Sequence, residues 1–212
     1  MMRRIVYTLL LLALALHVAA RTPMRSWIVA MPDSVMPLLT KNDRLDFIDF
    51  YDAKMAAVVT NRMEGKSRMD TLTADFVRFA YTPSTEVEMK LLAVNDSTDV
   101  LCMVTTMKAA VRDSRIAFFD EAWQPLSVAD YMDEPCIEDF RSTIHQGDSA
   151  QQAWKKMDVF FRSYDLCAEE ATLRCAFTSL DYLSREDRKE VEPYVRQALN
   201  YRWTNGRMVC DE

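Results

Sequence analysis

The shortness of the links between apolar runs constrains this chain more than any other feature. From about Val58 to Leu126, apolar and polar residues alternate with a period of two, and only a few turn residues separate one run from the next. Period two belongs to strands, whose successive side chains point to opposite faces. A parallel crossover needs a dozen or more residues, so links this short leave antiparallel pairing. Residues 76–81 read as a strand closed by Pro83-Ser84. Residues 86–94 follow, with Val87, Met89, Leu91 and Ala93 on one face and Glu86, Glu88 and Lys90 on the other. Asn95-Asp96-Ser97-Thr98-Asp99 is a polar turn, because Asn, Asp and Ser satisfy turn backbone with their own side chains. Residues 100–108 form the partner strand, with Val100, Cys102 and Val104 on one side. After Arg112-Asp113-Ser114, residues 116–119 and 123–126 complete an antiparallel meander.

Helical spacing marks three segments. The first runs over 43–57 with Asp43 as N-cap, and Leu45, Ile48, Tyr51 or Asp52, and Met55 repeat along one face, widened by Phe47 and Phe50. The second starts at Asp148 with Gln151 three residues on, a capping-box arrangement. There Ala150, Ala153, Trp154, Met157, Phe160, Phe161 and Tyr164 make an amphipathic stripe. The third spans 184–192, capped by Ser184 with Asp187 and stopped before Pro193. Residues 33–40 offer one or two helical turns broken near Pro37, and 21–32 read as a short leading segment. Leu173, Cys175 and Phe177 alternate as a strand. Asn205-Gly206 is a preferred type I′ loop. It pairs Trp203 with Met208 and Tyr201 with Cys210, and places these four with Leu199 on one face.

The expected class is α+β, with amphipathic helices on antiparallel sheets and a helix-then-strands order occurring twice. The acidic, irregular stretch 127–147 is the candidate boundary. It divides the chain into 21–130 and 131–212, with one continuous domain over 21–212 as the alternative.

Residues 1–20 read as a secretory signal peptide. Arg3 and Arg4 form a basic start, Ile5 to Leu16 an apolar run, and Val18-Ala19-Ala20 a small-residue exit, with cleavage expected between Ala20 and Arg21. The run is too short for a bilayer span of about 20 residues, and no cysteine follows it for lipid attachment. The whole chain holds 26 basic and 32 acidic residues; losing Arg3 and Arg4 leaves 24 against 32. That acidity disfavours nucleic acid and anionic membranes, which demand cationic contacts.

Few residues of this chain form a pattern with recognisable chemistry. Three glycines in 212 residues leave no Gly-rich phosphate loop, and no cofactor is expected. His145 is the single histidine after the leader. It lies near Cys136 in sequence, but a Cys–His pair needs an orienting third group and an oxyanion site. Cys102, Cys175 and Cys210 fall on apolar strand faces and read as core; Cys136 and Cys167 complete an odd count that leaves at least one thiol free. Asp46, Asp49 and Asp52 form a slanting acidic stripe, read as a solvated helix face. Asp130, Asp133, Glu134, Glu138 and Asp139 make the acidic stretch a calcium candidate. No catalytic, cofactor or metal residue is assigned, and the balance leans against an enzyme. Met richness and four tryptophans suit packing between layers and adaptable contact surfaces.

Several stretches carry a resemblance: Met31-Pro32-Asp33-Ser34, the run from Lys41-Asn42-Asp43-Arg44 to Phe50, Glu88-Met89-Lys90-Leu91-Leu92 with Asn95-Asp96-Ser97-Thr98, and the run from Asp113-Ser114-Arg115 to Asp120 with Trp123. Together they resemble a small exported family of unknown function, DUF3256-like, from Bacteroidales. The resemblance covers nearly the whole chain after the leader and implies the periplasm or cell surface of a Gram-negative cell. It brings no catalytic residue with it. Helices laid on a meander also resemble, in architecture alone, the β-lactamase-inhibitor protein. The functional expectation is an exported, non-enzymatic binding module with an envelope protein as partner. The alternatives are a carboxylate- or Cys/His-dependent hydrolase and a calcium-binding periplasmic protein.

Overall fold

The computed structural model describes residues 21–142 and 147–211. The expected leader (residues 1–20) and His145 lie outside the described residues, and with His145 the Cys136–His145 pair. Seven strands follow one another across a single antiparallel sheet: β1 (Val58–Thr60), β2 (Lys66–Leu72), β3 (Phe76–Thr82), β4 (Thr85–Ala93), β5 (Asp99–Lys108), β6 (Arg112–Phe119) and β7 (Pro125–Leu126). A second antiparallel meander is built from β8 (Arg162–Leu166), β9 (Thr172–Phe177), β10 (Ala198–Thr204) and β11 (Arg207–Cys210), so β8 and β11 are its two edges. With the helices, this is the expected α+β class.

The layers run helix, sheet, sheet. Helices α1 (Met24–Ala30) and α2 (Lys41–Asp52) cover one face of the large sheet. Met24, Trp27, Ile28 and Phe47 there share a buried cluster with Val77, Phe79, Val87, Met89 and Leu101. The opposite face contributes Leu92, Val100, Cys102, Val104 and Phe118 to a second cluster, shared with Tyr164, Leu166, Leu173, Cys175 and Tyr201 of the small sheet. Around that second core lie α3 (Val128–Tyr131), α4 (Asp148–Trp154) and α5 (Arg185–Val191). Strands β4 and β5 are therefore covered on both faces.

Several expectations shift. Residues 21–32 are not a loose leading segment: α1 buries Met24, Trp27 and Ile28. In α2 the N-cap is Thr40, and Asp43 sits at N3 as the reciprocal half of a capping box. The helix stops at Asp52, where Lys54 takes a left-handed φ of 56°, so it does not reach residue 57. Its buried face carries Arg44 and Phe47, while Leu45 and Met55 are exposed. Arg44 explains the rotation. Its guanidinium donates to the carbonyls of Ile28 at 3.0 Å, Leu39 at 2.9 Å and Met31 at 2.5 Å, and to Asp33 at 3.0 Å. Buried charge is tolerated when it is paired and hydrogen-bonded, and two of these contacts satisfy carbonyls at the otherwise unpaired C-terminal end of α1.

The long stripe after residue 148 also fails as one helix. α4 ends at Trp154, while Tyr164 pairs with Cys175 inside β8. Aromatic residues at helical spacing fit a strand equally well. Cys210, expected in the core, is exposed at the end of the edge strand β11, whereas Cys102 and Cys175 are buried; all five cysteines are free thiols. The terminal hairpin has the expected register, Trp203 opposite Met208 and Tyr201 opposite Cys210, with Asn205 and Gly206 at φ 51° and 80°.

The polar side of β4 does not face water. Glu88 and Lys90 are each 2% exposed, because β8 crosses over them. As an edge strand, β8 turns the N–H groups of residues 162, 164 and 166 away from β9. The large sheet supplies an acceptor for each: Asp113 Oδ1 for Arg162 at 3.5 Å, Ser114 Oγ for Tyr164 at 3.0 Å and Glu88 Oε2 for Leu166 at 2.8 Å. Arg78 donates to the other Glu88 oxygen at 2.6 Å, and Lys90 Nζ donates to the Ala168 carbonyl at 2.8 Å. A buried N–H must be paired, and side chains from another sheet do here what a neighbouring strand does elsewhere.

Candidate functional site

The other edge of the small sheet behaves differently. In β11, Val209 faces Arg202 in the ladder and the Asp211 N–H donates to the Asn200 carbonyl at 2.7 Å, so the intervening Met208 and Cys210 aim their N–H and C=O outward. Met208 is met by Met132 through a single parallel bridge. Beyond it the chain diverges as residues 133–139, and a cleft of about 320 Å³ opens along Val209 and Cys210. Asp133, Glu134, Pro135 and Asp139 form one wall; Leu199 and Tyr201 of β10 and the side of β11 form the other, with Arg196 and Arg207 also lining it.

Local packing fixes the acidic wall. Met132 and Phe140 are fully buried at its two ends. The Phe140 ring lies 5.0 Å from Phe177 and 5.8 Å from Phe160. A ring ladder holds the approach: Tyr131 stacks on Phe118 at 5.1 Å and on Trp203 at 6.2 Å, and the Trp203 indole donates to the Ala93 carbonyl at 2.6 Å. Arg162 is a strut, donating to the Pro135 carbonyl at 2.6 Å, pairing with Glu134, and lying over the Phe160 and Tyr164 rings at 5.3 and 5.4 Å.

The carboxylates of residues 133–139 have local tasks. Asp133 pairs with Arg207 at 2.9 Å, Glu138 with Arg141 at 2.5 Å, and Asp139 accepts from the Cys136 N–H at 2.7 Å. Among the described residues, no cluster of three His, Cys, Asp or Glu side chains is placed to hold a metal ion. Asp130 and Glu138 do not line the cleft. The second acidic stripe is also dispersed: Asp52 is gripped by Arg25 at 2.6 and 2.7 Å, an arrangement that holds its carboxyl below the usual range, while Asp46 and Asp49 face solvent. Of the expected Asn95–Asp99 turn, residues 95–98 are the turn, closed by Asn95 Oδ1 accepting from the Ser97 N–H at 2.9 Å, while Asp99 opens β5.

Cys102, Cys175 and Cys210 are poorly set up as nucleophiles. Burial pushes Cys175 up to about 12 and raises Cys102 and Cys210, and the reactive form is the thiolate. What the cleft presents is an open strand edge, two arginines, an acidic wall and the ring of Tyr201. Sequence reading found the acidic stretch and the hairpin separately. It missed Arg196, Arg207 and the outward edge of Cys210, although the Asn-Gly register already determines which way the Cys210 backbone points. A second cleft of about 430 Å³ lies beside the first on the small sheet, with Tyr201 common to both.

The family described as "Protein of unknown function (DUF3256)" matches residues 15–208, and the chain belongs to that family. The solved structure of a domain of an uncharacterized protein from Porphyromonas gingivalis W83 is similar. Its TM-score is 0.78 at 28% identity, over 89% of this chain and 97% of that one. No curated protein matches.

Proposed function

We propose that this member of the DUF3256 family is an exported, non-enzymatic module of the bacterial envelope that holds a partner protein in the cleft beside β11. The leader supports export. One observation carries the site: the Cys210 N–H and C=O face an open cleft, while the opposite edge of the same sheet has every outward N–H accepted by a side chain. An uncovered edge is a template for an added strand. The favoured partner segment is therefore an extended polypeptide laid alongside Val209 and Cys210. Arg196, Arg207 and the acidic wall would set its polarity and register, since charges across an interface act mainly on specificity. Cys210, the raised thiol that lines the cleft, favours holding over covalent chemistry there.

Photo-crosslinking in the envelope of the producing cell tests this reading. A photoreactive residue at Val209, which is 50% exposed, is expected to capture one dominant protein; the same residue at Met63, which is 76% exposed and remote in sequence, serves as control. Capture at Val209 must disappear in Arg207→Glu. Equal labelling from both positions contradicts the site. Recovery of the protein in the cytosolic fraction with its first twenty residues intact contradicts the exported setting.

A further inference from the structure

A small cavity of about 190 Å³ lies where the described chain begins, lined by Arg21, Thr22, Pro23, Ala74, Asp75, Leu91 and Asp99. Its acidic side is unusual. The Asp99 side chain is 5% exposed, and its Oδ1 accepts no hydrogen bond. The nearest cation is the half-exposed Arg21 guanidinium, one nitrogen of which stands 3.2 Å from Oδ1 while the other donates to the Asn95 carbonyl at 3.0 Å. Burial raises the Asp99 carboxyl against that attraction, and Asp75 adds like charge. Asp75 is better supplied: Lys90 Nζ stands 2.9 Å from it, and the Thr73 hydroxyl donates to it at 3.0 Å. Asp99 is therefore the under-compensated charge, and a buried polar atom without a donor costs free energy until one arrives. The facing wall is held in place, because the Met24 N–H donates to the Ala74 carbonyl at 2.8 Å and pins residues 21–23 beside Asp75.

We propose that leader removal makes the ligand of this cavity: the α-ammonium of Arg21 docks against Asp99, beside Asp75, and the fold captures its own processed N-terminus. This rests on the leader reading given above. Hydrolysis of the Ala20–Arg21 peptide bond consumes one water, leaves a carboxylate on Ala20 of the released leader and a protonated amine on Arg21. An amide nitrogen with no charge becomes a cation with three donors, on a residue that lines the same cavity as Asp99. Backbone N-terminal amines are recognised elsewhere in just such polar recesses. Arg21 then brings two positive charges to Asp99 where the precursor brings one, and the segment that seats α1 on the large sheet is fastened at its free end.

The test uses the processed protein purified from the envelope of the producing cell. Its first residue is sequenced, its amines are reductively methylated with 13C, and the α-amine is titrated by NMR in the folded and the urea-unfolded protein. An ordinary α-amine titrates near 7.7–8.0. A carboxylate partner keeps its proton on longer, so the folded α-amine is expected to titrate about 1 pH unit above the unfolded one. Asp99→Asn is expected to abolish the difference. The wild-type comparison alone decides the matter if that variant does not fold. A first residue other than Arg21 overturns the leader reading and this proposal with it. A first residue of Arg21 whose amine titrates alike in both states overturns this proposal alone.

Discussion

The two edges of the four-stranded sheet have the same backbone chemistry and opposite fates. β8 presents the N–H groups of residues 162, 164 and 166 to the large sheet, and Asp113, Ser114 and Glu88 accept them. β11 presents Met208 and Cys210; only the first is met, by the bridge to Met132, and the second opens into the cleft. An edge strand must be covered, blunted or used. This molecule covers one edge with buried polar side chains and leaves the other facing an acidic wall that Arg162 of β8 and Arg207 of β11 tie to the sheet. The contrast separates what holds the sheets together from what remains for a partner.

Removing the cover should do most damage. Glu88→Ala leaves the Leu166 N–H and Arg78 without their acceptor between two sheets, and should cost about 2–3 kcal/mol in urea unfolding. We propose that residues 21–211 unfold as one cooperative unit, since one buried cluster spans both sheets; the loss should then appear as a shift of a single transition. Two separate transitions would break the comparison at its root. Ser114→Ala removes the acceptor of the Tyr164 N–H and the 2.8 Å hydroxyl contact with Thr106, and should cost about 1–2 kcal/mol.

Acidity sharpens the same edge. Burial raises the Glu88 carboxyl above the ordinary range, against the opposing pull of the Leu166 N–H and Arg78. The folded state therefore takes up this proton first. The stabilisation linked to that proton is fully present below the ordinary carboxyl value of about 4.3 and is lost as pH rises through the raised value. Wild-type stability relative to Glu88→Gln should decline as pH rises above the ordinary carboxyl range in paired urea titrations; a difference that grows with pH contradicts the assignment. On the open edge the expected stability effect is smallest. Cys210→Pro deletes an N–H that makes no ladder bond, so unfolding should change by less than about 1 kcal/mol. Crosslinking from Val209 should nevertheless be lost. A large destabilisation would mean that the edge is already in use.

Much of this contrast was legible in the chain because it was local. Asn205-Gly206 dictated a two-residue turn, and with it the pairing of Tyr201 with Cys210. Short links dictated the meander of β3 to β6, and Ser184 accepts from the Asp187 N–H at 3.1 Å as its capping pattern required. What escaped was set at long range. Phe160, Phe161 and Tyr164 match a helix until one knows that β9 and the face of β6 await them. Glu88 looks like a solvent-facing strand residue because its partner Leu166 lies 78 positions away. The α1 helix was too short to signal itself, and its place depends on Arg44 reaching back from α2. The cleft combines the acidic stretch, Arg196 and the terminal hairpin, three segments that no short spacing connects.

Native-state amide hydrogen exchange resolves both edges in one experiment. If β8 is sealed and β11 is open, the Tyr164 and Leu166 amides exchange only through global unfolding. The Cys210 amide exchanges by small local openings, at a rate insensitive to Glu88→Ala. Fast exchange at Leu166, or protection at Cys210 equal to that of the core strands, would contradict the account.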